Sequence, residues 1–439
     1  MTLDGRSLVR ASFDAALAAA DPLGSMPFIA RHLPPKPKGR VVVIGGGKAA
    51  ASMALAVERA WPDVSLSGIV VTRYAHGLQT QHIEVVEAGH PVPDEAGELA
   101  AARMLELVAT LTPDDLLLAL ISGGGSSLMS SPAPGLSMDH LKMLNRALLA
   151  SGAPITAMNV IRKHCSSIAG GRLAEAVAQR AAAAVALIVS DVTGDDPSTI
   201  ASGPCTPDAS TYQDALDIVE RYRIDLPYAI RNHLQRGADG AIAETPKPGD
   251  PAFARVANHV VATAHASLDA AAAYFRGQGI TAAVLGDTVT GEAREVAKVY
   301  AAFAREVREH GQPWKPPVAL ISGGECEVTL PTLNPRDKNT PKARGGRCTE
   351  FLLSLAIALD GMPDTYAIAC DTDGIDGSED NAGALLAPDS LARAEAQGVG
   401  AQRMLDIHDA WGYFDALDDL VVTGPTRTNV NDYRVILVL

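Results

Sequence analysis

Short apolar runs alternate with longer alanine- and leucine-rich stretches along most of the chain, and most runs break at glycine, aspartate or proline. Arg40 to Ile44, Gly68 to Thr72, Ile83 to Val86, the LLLALI run ending at Ile121, and Ala183 to Val189 read as buried strands. Val260 to Ala264, Thr281 to Leu285, Val318 to Ile321, Thr365 to Ala369 and Arg434 to Leu439 read as a second set. Between them lie helical patterns. Leu8 to Ala20 is stopped by Asp21-Pro22; a helix capped by Ser137 runs to about Ala150 with Leu141, Leu144 and Leu148 on one stripe; another starts near Ala157. Alternating strand and helix predicts an α/β fold. The polar, proline-rich ETPKPGDP segment, Glu244 to Pro251, divides it into two α/β domains: residues 1–243 with a Rossmann-like doubly wound sheet, and residues 252–439.

Two strands end in the same string. Ala-Leu-Ile-Ser-Gly-Gly occurs at Ala119 to Gly124 and again at Ala319 to Gly324. Each copy reads as a parallel strand opening into a glycine-rich turn, where bare amides can cradle phosphate or carboxylate oxygens. The candidate cradles are Ser122, Gly123, Gly124, Gly125, Ser126 and Ser127 in the first copy, and Gly323, Gly324 and Glu325 in the second. Gly45-Gly46-Gly47-Lys48 forms a third glycine turn, after the first strong strand. It fits a G-x-G-x-x-A dinucleotide pattern, but the next strand ends in Thr72-Arg73 where an acidic residue would hold an NAD ribose.

Composition narrows the classes. The 439 residues carry 37 Lys and Arg against 51 Asp and Glu, a formal charge of −14, which argues against a nucleic-acid surface and against attraction to anionic lipid. Any anionic ligand must therefore be drawn by local cations. No apolar run approaches the roughly 20 residues that span a bilayer, and no basic leader precedes an apolar stretch at the start, so the expected location is cytoplasmic. The five cysteines show no paired spacing and are expected as free thiols.

Phosphoryl transfer needs amides and cations around the transferred group, carboxylates for metal, and a group to orient the attacking hydroxyl. Lys48 and Arg347 supply candidate cations, the glycine turns supply amides, and Asp191, Asp195, Glu325, Asp371 and Asp373 supply carboxylates. Arg347 follows Gly345-Gly346 at the start of an apolar helix, where an anion would be doubly favoured. Asn159, Arg162, Lys163 and Ser166 lie at spacings of three and four, placing them on one polar face with Arg162 and Lys163 as candidates for a substrate carboxylate. The basic stretch Pro331 to Arg344 has no periodicity and reads as a disordered segment or a lid.

AGHPVPD (Ala88 to Asp94), ISGGGSSL, SDVTGDDPSTIASGP (Ser190 to Pro204), ISGGE, TDGIDG (Thr372 to Gly377) and TGPTRTNVND (Thr423 to Asp432) stand in an order that resembles the glycerate 2-kinases with a leucine-rich C-terminal domain, a class often labelled hydroxypyruvate reductase. The resemblance runs from about Val43 to the C-terminus and implies two α/β domains with the active site in the cleft between them, using ATP and Mg²⁺ to convert D-glycerate to 2-phosphoglycerate. Residue by residue it implies catalytic roles for Lys48, Arg347, Asp373 and Asp191, with Asp191 and Asp195 as metal candidates and Gly45 and Gly46 beside the substrate. Loss of Lys48 or Arg347 is expected to spare the fold. The chain departs from the family at Cys348-Thr349, usually Asn-Gln, at Cys326, usually Thr, and at Arg427, usually Gly. Rival readings are an NAD(P)H-dependent hydroxypyruvate reductase and a non-catalytic organic-acid binder. Oligomeric state is open, a homodimer being one arrangement.

Overall fold

The computed structural model describes residues 4–24, 28–330 and 343–439. The chain divides into two compact units, residues 27–261 and residues 1–26 with 262–439. Each has a six-stranded sheet with helices packed on it.

In the 27–261 unit the strands are β1 (Val41–Gly46), β2 (Leu66–Arg73), β3 (Ile83–Ala88), β4 (Leu116–Ile121), β5 (Ala183–Val189) and β6 (Val256–Ala262), in the order β3-β2-β1-β4-β5-β6. The pairs from β3 through β5 are parallel. Every residue of β1 and β4 is buried, which is why both read as unbroken apolar runs instead of an alternation. The strand order reverses between β1 and β4. At such a switch point the loops leaving the two strands diverge and open a crevice at their carboxyl ends, and here those loops are the Gly45–Lys48 and Ser122–Ser127 turns.

The other unit has β7 (Thr281–Glu292), β8 (Val318–Glu327), β9 (Thr365–Asp371), β10 (Gly383–Leu386), β11 (Leu420–Val421) and β12 (Asp432–Val438), ordered β11-β10-β9-β12-β8-β7. The last strand of the chain is inserted antiparallel between β8 and β9. Helices Gly5–Ala20 and Ala264–Gly277 cover one face, with Phe13 and Phe275 against Ile321, Ile368 and Tyr433. Helices Ala293–His310 and Arg347–Leu359 cover the other, with Tyr300 and Phe351 against Leu320, Ala369 and Ile436. Ile321 and Leu320 face opposite sides, the period of two that a sheet covered on both faces requires.

The linear domain boundary is corrected twice. The first helix, expected with the N-terminal block, packs in the unit that contains the C-terminus, and β6, expected in the second block, closes the edge of the first sheet. The ETPKPGDP segment is no linker, because its side chains are pinned. Glu244 accepts from the Tyr212 amide (2.9 Å) and from Lys247 (3.1 Å), and lies 3.3 Å from Nε2 of buried His164; Thr245 donates to Asp208 (3.0 Å). Lys163 completes this cluster as an ion pair with Asp208 at 3.4 Å.

Burial pushes the His164 pKa below its ordinary 6.5. Burial works against ionisation of Asp208, but Lys163 and Ser210 outweigh it and hold the carboxyl below its usual range. Both shifts act in one direction. As pH falls below 6.5 the unfolded chain takes up a proton on His164 that the folded chain refuses, and at lower pH the same holds for Asp208. The unfolding midpoint is therefore expected to decline as pH drops below about 6.5, and His164→Gln to flatten the first part of that decline, as read by denaturant titrations across a pH series.

Candidate functional site

In the 27–261 unit the chain itself consumes much of the first glycine turn. The Lys48 amide donates to the Gly123 carbonyl (2.9 Å), the Ala49 amide to the Ser122 hydroxyl (3.0 Å), and the Ala50 amide to the Gly47 carbonyl (3.1 Å). A Cβ on Gly45 would meet the Leu120 carbonyl oxygen at 1.9 Å, and one on Gly46 the Met129 side chain at 2.5 Å. These two glycines exist so that β1 can pack closely on its neighbours. The turn thus presents one half-buried side chain, Lys48, at the carboxyl end of β1.

The second turn is different. Gly124 adopts φ of 82°, and a Cβ there would lie 2.9 Å from the His90 ring. Buried Ser122 ties the two turns together, while the amides of Gly123, Gly124 and Ser126 donate to no acceptor among the described residues. Ser126 and Ser202 share a hydroxyl–hydroxyl hydrogen bond of 2.8 Å. Ser202 sits on the Ser190–Pro204 loop, where Ala201 (φ 49°) and Ser202 (φ 59°) hold left-handed backbone conformations unusual for residues with a side chain. Such strain, of order 1–3 kcal/mol per residue, persists where surrounding structure enforces it.

Gly124 to Ser127 form one wall of a cavity of about 390 Å³. Arg162, Asn159, Asn145, Ser166 and Asp191 also line it. Arg162 lies on the Ile155–His164 helix and is held by two amide oxygens, Asn145 Oδ1 on its Nε (3.0 Å) and Asn159 Oδ1 on its Nη1 (3.1 Å). No carboxylate pairs with it among the described residues. Burial pulls its pKa below the ordinary arginine value, yet a guanidinium remains charged in proteins. Lys142 and Arg146 line the cavity too, so three cations face one carboxylate there, within a chain whose formal charge is −14. Such a lining suits an anion.

Lys163 is not part of it. Adjacent helical residues point about 100° apart, and while Arg162 faces the cavity Lys163 is buried against Asp208. Asp195 does not line the cavity; it holds a turn with φ of 53°, its amide donating to the Val192 carbonyl (3.1 Å). Among the described residues no three His, Cys, Asp or Glu side chains converge as a metal cage.

In the other unit the second Ser-Gly-Gly is no turn. β8 runs on through Glu327, with Gly323 opposite Tyr433 and Gly324 opposite Asp432 and Val289. The expected amide cradle is built into the sheet, and Gly324 is there because a Cβ would strike the Val289 backbone at 2.3 Å. What the end of β8 contributes is Glu325. Its carboxylate accepts from Arg347 Nη1 (2.8 Å), Asp371 accepts from Nη2 (2.9 Å), and Asp432 from Nε (2.7 Å). Burial alone would lower the Arg347 pKa, but Asp432, Asp371 and Glu325 together raise it. Buried Arg434 donates to the other oxygen of Asp432 (2.5 Å) and to the Gly323 carbonyl (3.1 Å).

The anion expected at the helix start beside Arg347 comes from the chain. Asp376 accepts from the Cys348 amide (2.9 Å), the Thr349 amide (2.8 Å) and the Thr349 hydroxyl (2.7 Å). Asp373 is buried in the same loop: its carboxylate accepts from the Ile375 amide (2.8 Å) and its own amide donates to Asp371 (3.0 Å). Of the basic stretch, Pro331 to Lys342 lie outside the described residues; Arg344 pairs with Asp409 (2.7 Å) and stacks 4.7 Å from the Trp411 ring centroid.

Three residues escaped the sequence reading. Arg434 read there only as the first residue of an apolar strand, and Asn145, beside a leucine stripe, was not singled out. Only the TNVND string marked Asp432 at all.

Two family models match different parts of the chain, and the first of them takes in the helix that packs in the C-terminal unit. Residues 8–235 match a family model described as Domain of unknown function (DUF4147), and residues 318–432 match the MOFRL family. A D-glycerate 2-kinase of Thermotoga maritima is 37% identical, covering 91% of this chain and 91% of its own. The chain belongs to the glycerate 2-kinase family. A crystal structure of glycerate kinase from Thermotoga maritima superposes with a TM-score of 0.84 at 35% identity, covering 99% of this chain and 98% of that one. An Agrobacterium vitis protein named "Putative hydroxypyruvate reductase" is 50% identical over 99% of this chain and 95% of its own.

The departures from the glycerate 2-kinase pattern now have places. Arg427 has φ of 59°, a left-handed conformation that explains the glycine usual there. Cys326 and Cys348 are buried thiols, their pKa raised first of all by burial.

Proposed function

We infer that the protein is a glycerate kinase that transfers the γ-phosphoryl group of ATP to the 2-hydroxyl of D-glycerate. The observation that supports this reading most directly is Arg162, a partly buried guanidinium with uncharged partners in a cavity of net positive lining. Its fork suits the glycerate carboxylate bidentately, and Asn145, Asn159 and Ser166 stand beside it for the hydroxyls. At about 390 Å³ the cavity exceeds the needs of a three-carbon acid, and the unsatisfied amides of Gly123, Gly124 and Ser126 suit phosphate oxygens.

In the reaction the 2-hydroxyl oxygen forms a bond to the γ-phosphorus as the bond to the β,γ-bridging oxygen breaks, releasing ADP. Within the 27–261 unit Lys48 would neutralise charge on the equatorial oxygens while the hydroxyl proton leaves to solvent; catalytic roles for Arg347 and Asp373, which belong to the other unit, rest on the family resemblance alone. Mg²⁺ arriving with the nucleotide would supply further charge neutralisation, with Asp191 as the protein carboxylate that lines the cavity to hold it.

The reductase reading has a close relative's name in its favour but a poor turn. The amides after β1 that would hold a dinucleotide pyrophosphate are bonded to the chain itself, and β2 ends in Arg73. The test incubates the protein with ATP, Mg²⁺ and D-glycerate and couples product to enolase without phosphoglycerate mutase. A signal is expected. Signal only after mutase is added would move the phosphate to the 3-position. Silence in both, with NADH consumed on hydroxypyruvate, would replace the kinase by the reductase.

A further inference from the structure

A guanidinium removed from water usually has a carboxylate, because the desolvation penalty of a lone charge is large. Arg162 has two side-chain amides in that place, and they come from different elements: Asn159 three residues earlier on its own helix, and Asn145 on the Met138–Ala150 helix. A guanidinium offers only donors, so each amide must present its oxygen to Arg162 and turn its NH₂ group away. Neither NH₂ group donates to a protein acceptor among the described residues, and both residues line the cavity. The Ser166 hydroxyl accepts from the Ile168 (3.2 Å) and Ala169 (3.1 Å) amides, which leaves its proton as a third donor. This corner therefore holds the guanidinium plane in place, leaves its full charge uncancelled, and surrounds it with hydrogen-bond donors.

We propose that Asn145 and Asn159 are positioning residues that set specificity for a carboxylate-bearing hydroxy acid, by orienting Arg162 without neutralising it. This rests on the glycerate kinase reading. A carboxylate in place of either amide would do the positioning equally well but would occupy the charge that the substrate requires. The lowered pKa of Arg162, caused by burial, agrees with a cation whose partner has yet to arrive.

Asn145→Asp is the test, since it changes charge with almost no change of shape. The Michaelis constant for glycerate is expected to rise about 10²-fold, far more than the constant for ATP changes. The uncharged glyceramide, used as a competing ligand, should lose only the one hydrogen bond that the amide group donates, about tenfold at most, so that preference for the acid over the amide falls by about tenfold or more. Asn145→Ala, which loosens Arg162 without neutralising it, should raise the constant for glycerate by about tenfold and keep that preference. Asn159→Asp repeats the charge test from the other side should the first variant fold poorly. Unchanged preference for the acid in a folded Asp variant of an active parent would overturn the proposal. A parent without kinase activity on glycerate would instead overturn the reading beneath it, which the enolase-coupled assay reports separately.

Discussion

Arg347→Ala is expected to lose both turnover and stability. The sequence alone marks Arg347 as a cation beside a helix start, whose removal would spare the fold. The structure shows it bridging three carboxylates, two of them buried, with Asp432 also held by Arg434. Removing one partner of a buried pair leaves an uncompensated charge, at a cost of about 3–5 kcal/mol. The exposed Glu325 contributes little to that figure. An arginine acting on a transferring phosphoryl group is worth about 10³-fold or more in kcat. Arg347→Lys separates the two roles. It keeps one positive charge but cannot contact Asp432, Asp371 and Glu325 at once, so stability should be partly restored while kcat stays down by about 10²-fold. Denaturant titration and the enolase-coupled assay on both variants check this; an Ala variant with parental midpoint and rate would remove Arg347 from both roles.

Lys48→Ala should separate activity from folding. The turn around Lys48 is held by main-chain bonds to Gly123 and to the Ser122 hydroxyl, and by the close contacts of Gly45 and Gly46, none of which involves the lysine side chain. Loss of the ammonium group is expected to lower kcat by about 10²- to 10³-fold, the usual effect of deleting one group that stabilises transition-state charge. The variant should still fold, because these main-chain bonds remain. A variant that unfolds early would mean that Lys48 is a structural anchor, and one with parental kcat would move the catalytic charge elsewhere.

The chain's pattern determined a good deal by itself. Buried parallel strands such as β1 and β4 announce themselves because both faces are covered, and the Ser137 cap begins its helix where the residue type requires, its hydroxyl accepting from the His140 amide. Ordered strings of glycine and aspartate carried the family, since such residues are placed by local backbone geometry that a short stretch encodes. Arg162 was legible as one of a polar helical group.

Tertiary structure decided the rest, for one physical reason: the partner that assigns each role lies far away along the chain. The same Ser-Gly-Gly is a turn after β4 and a strand in β8, because β12, more than a hundred residues later, pairs with Gly323 and Gly324. Lys163 and Arg162 are alike in sequence until Asp208 claims one and Asn145 orients the other. The first helix joins the C-terminal sheet because Phe13 finds Tyr433 there. Local pattern fixes which way a side chain faces, whereas charge balance and burial are fixed only when distant elements arrive opposite it.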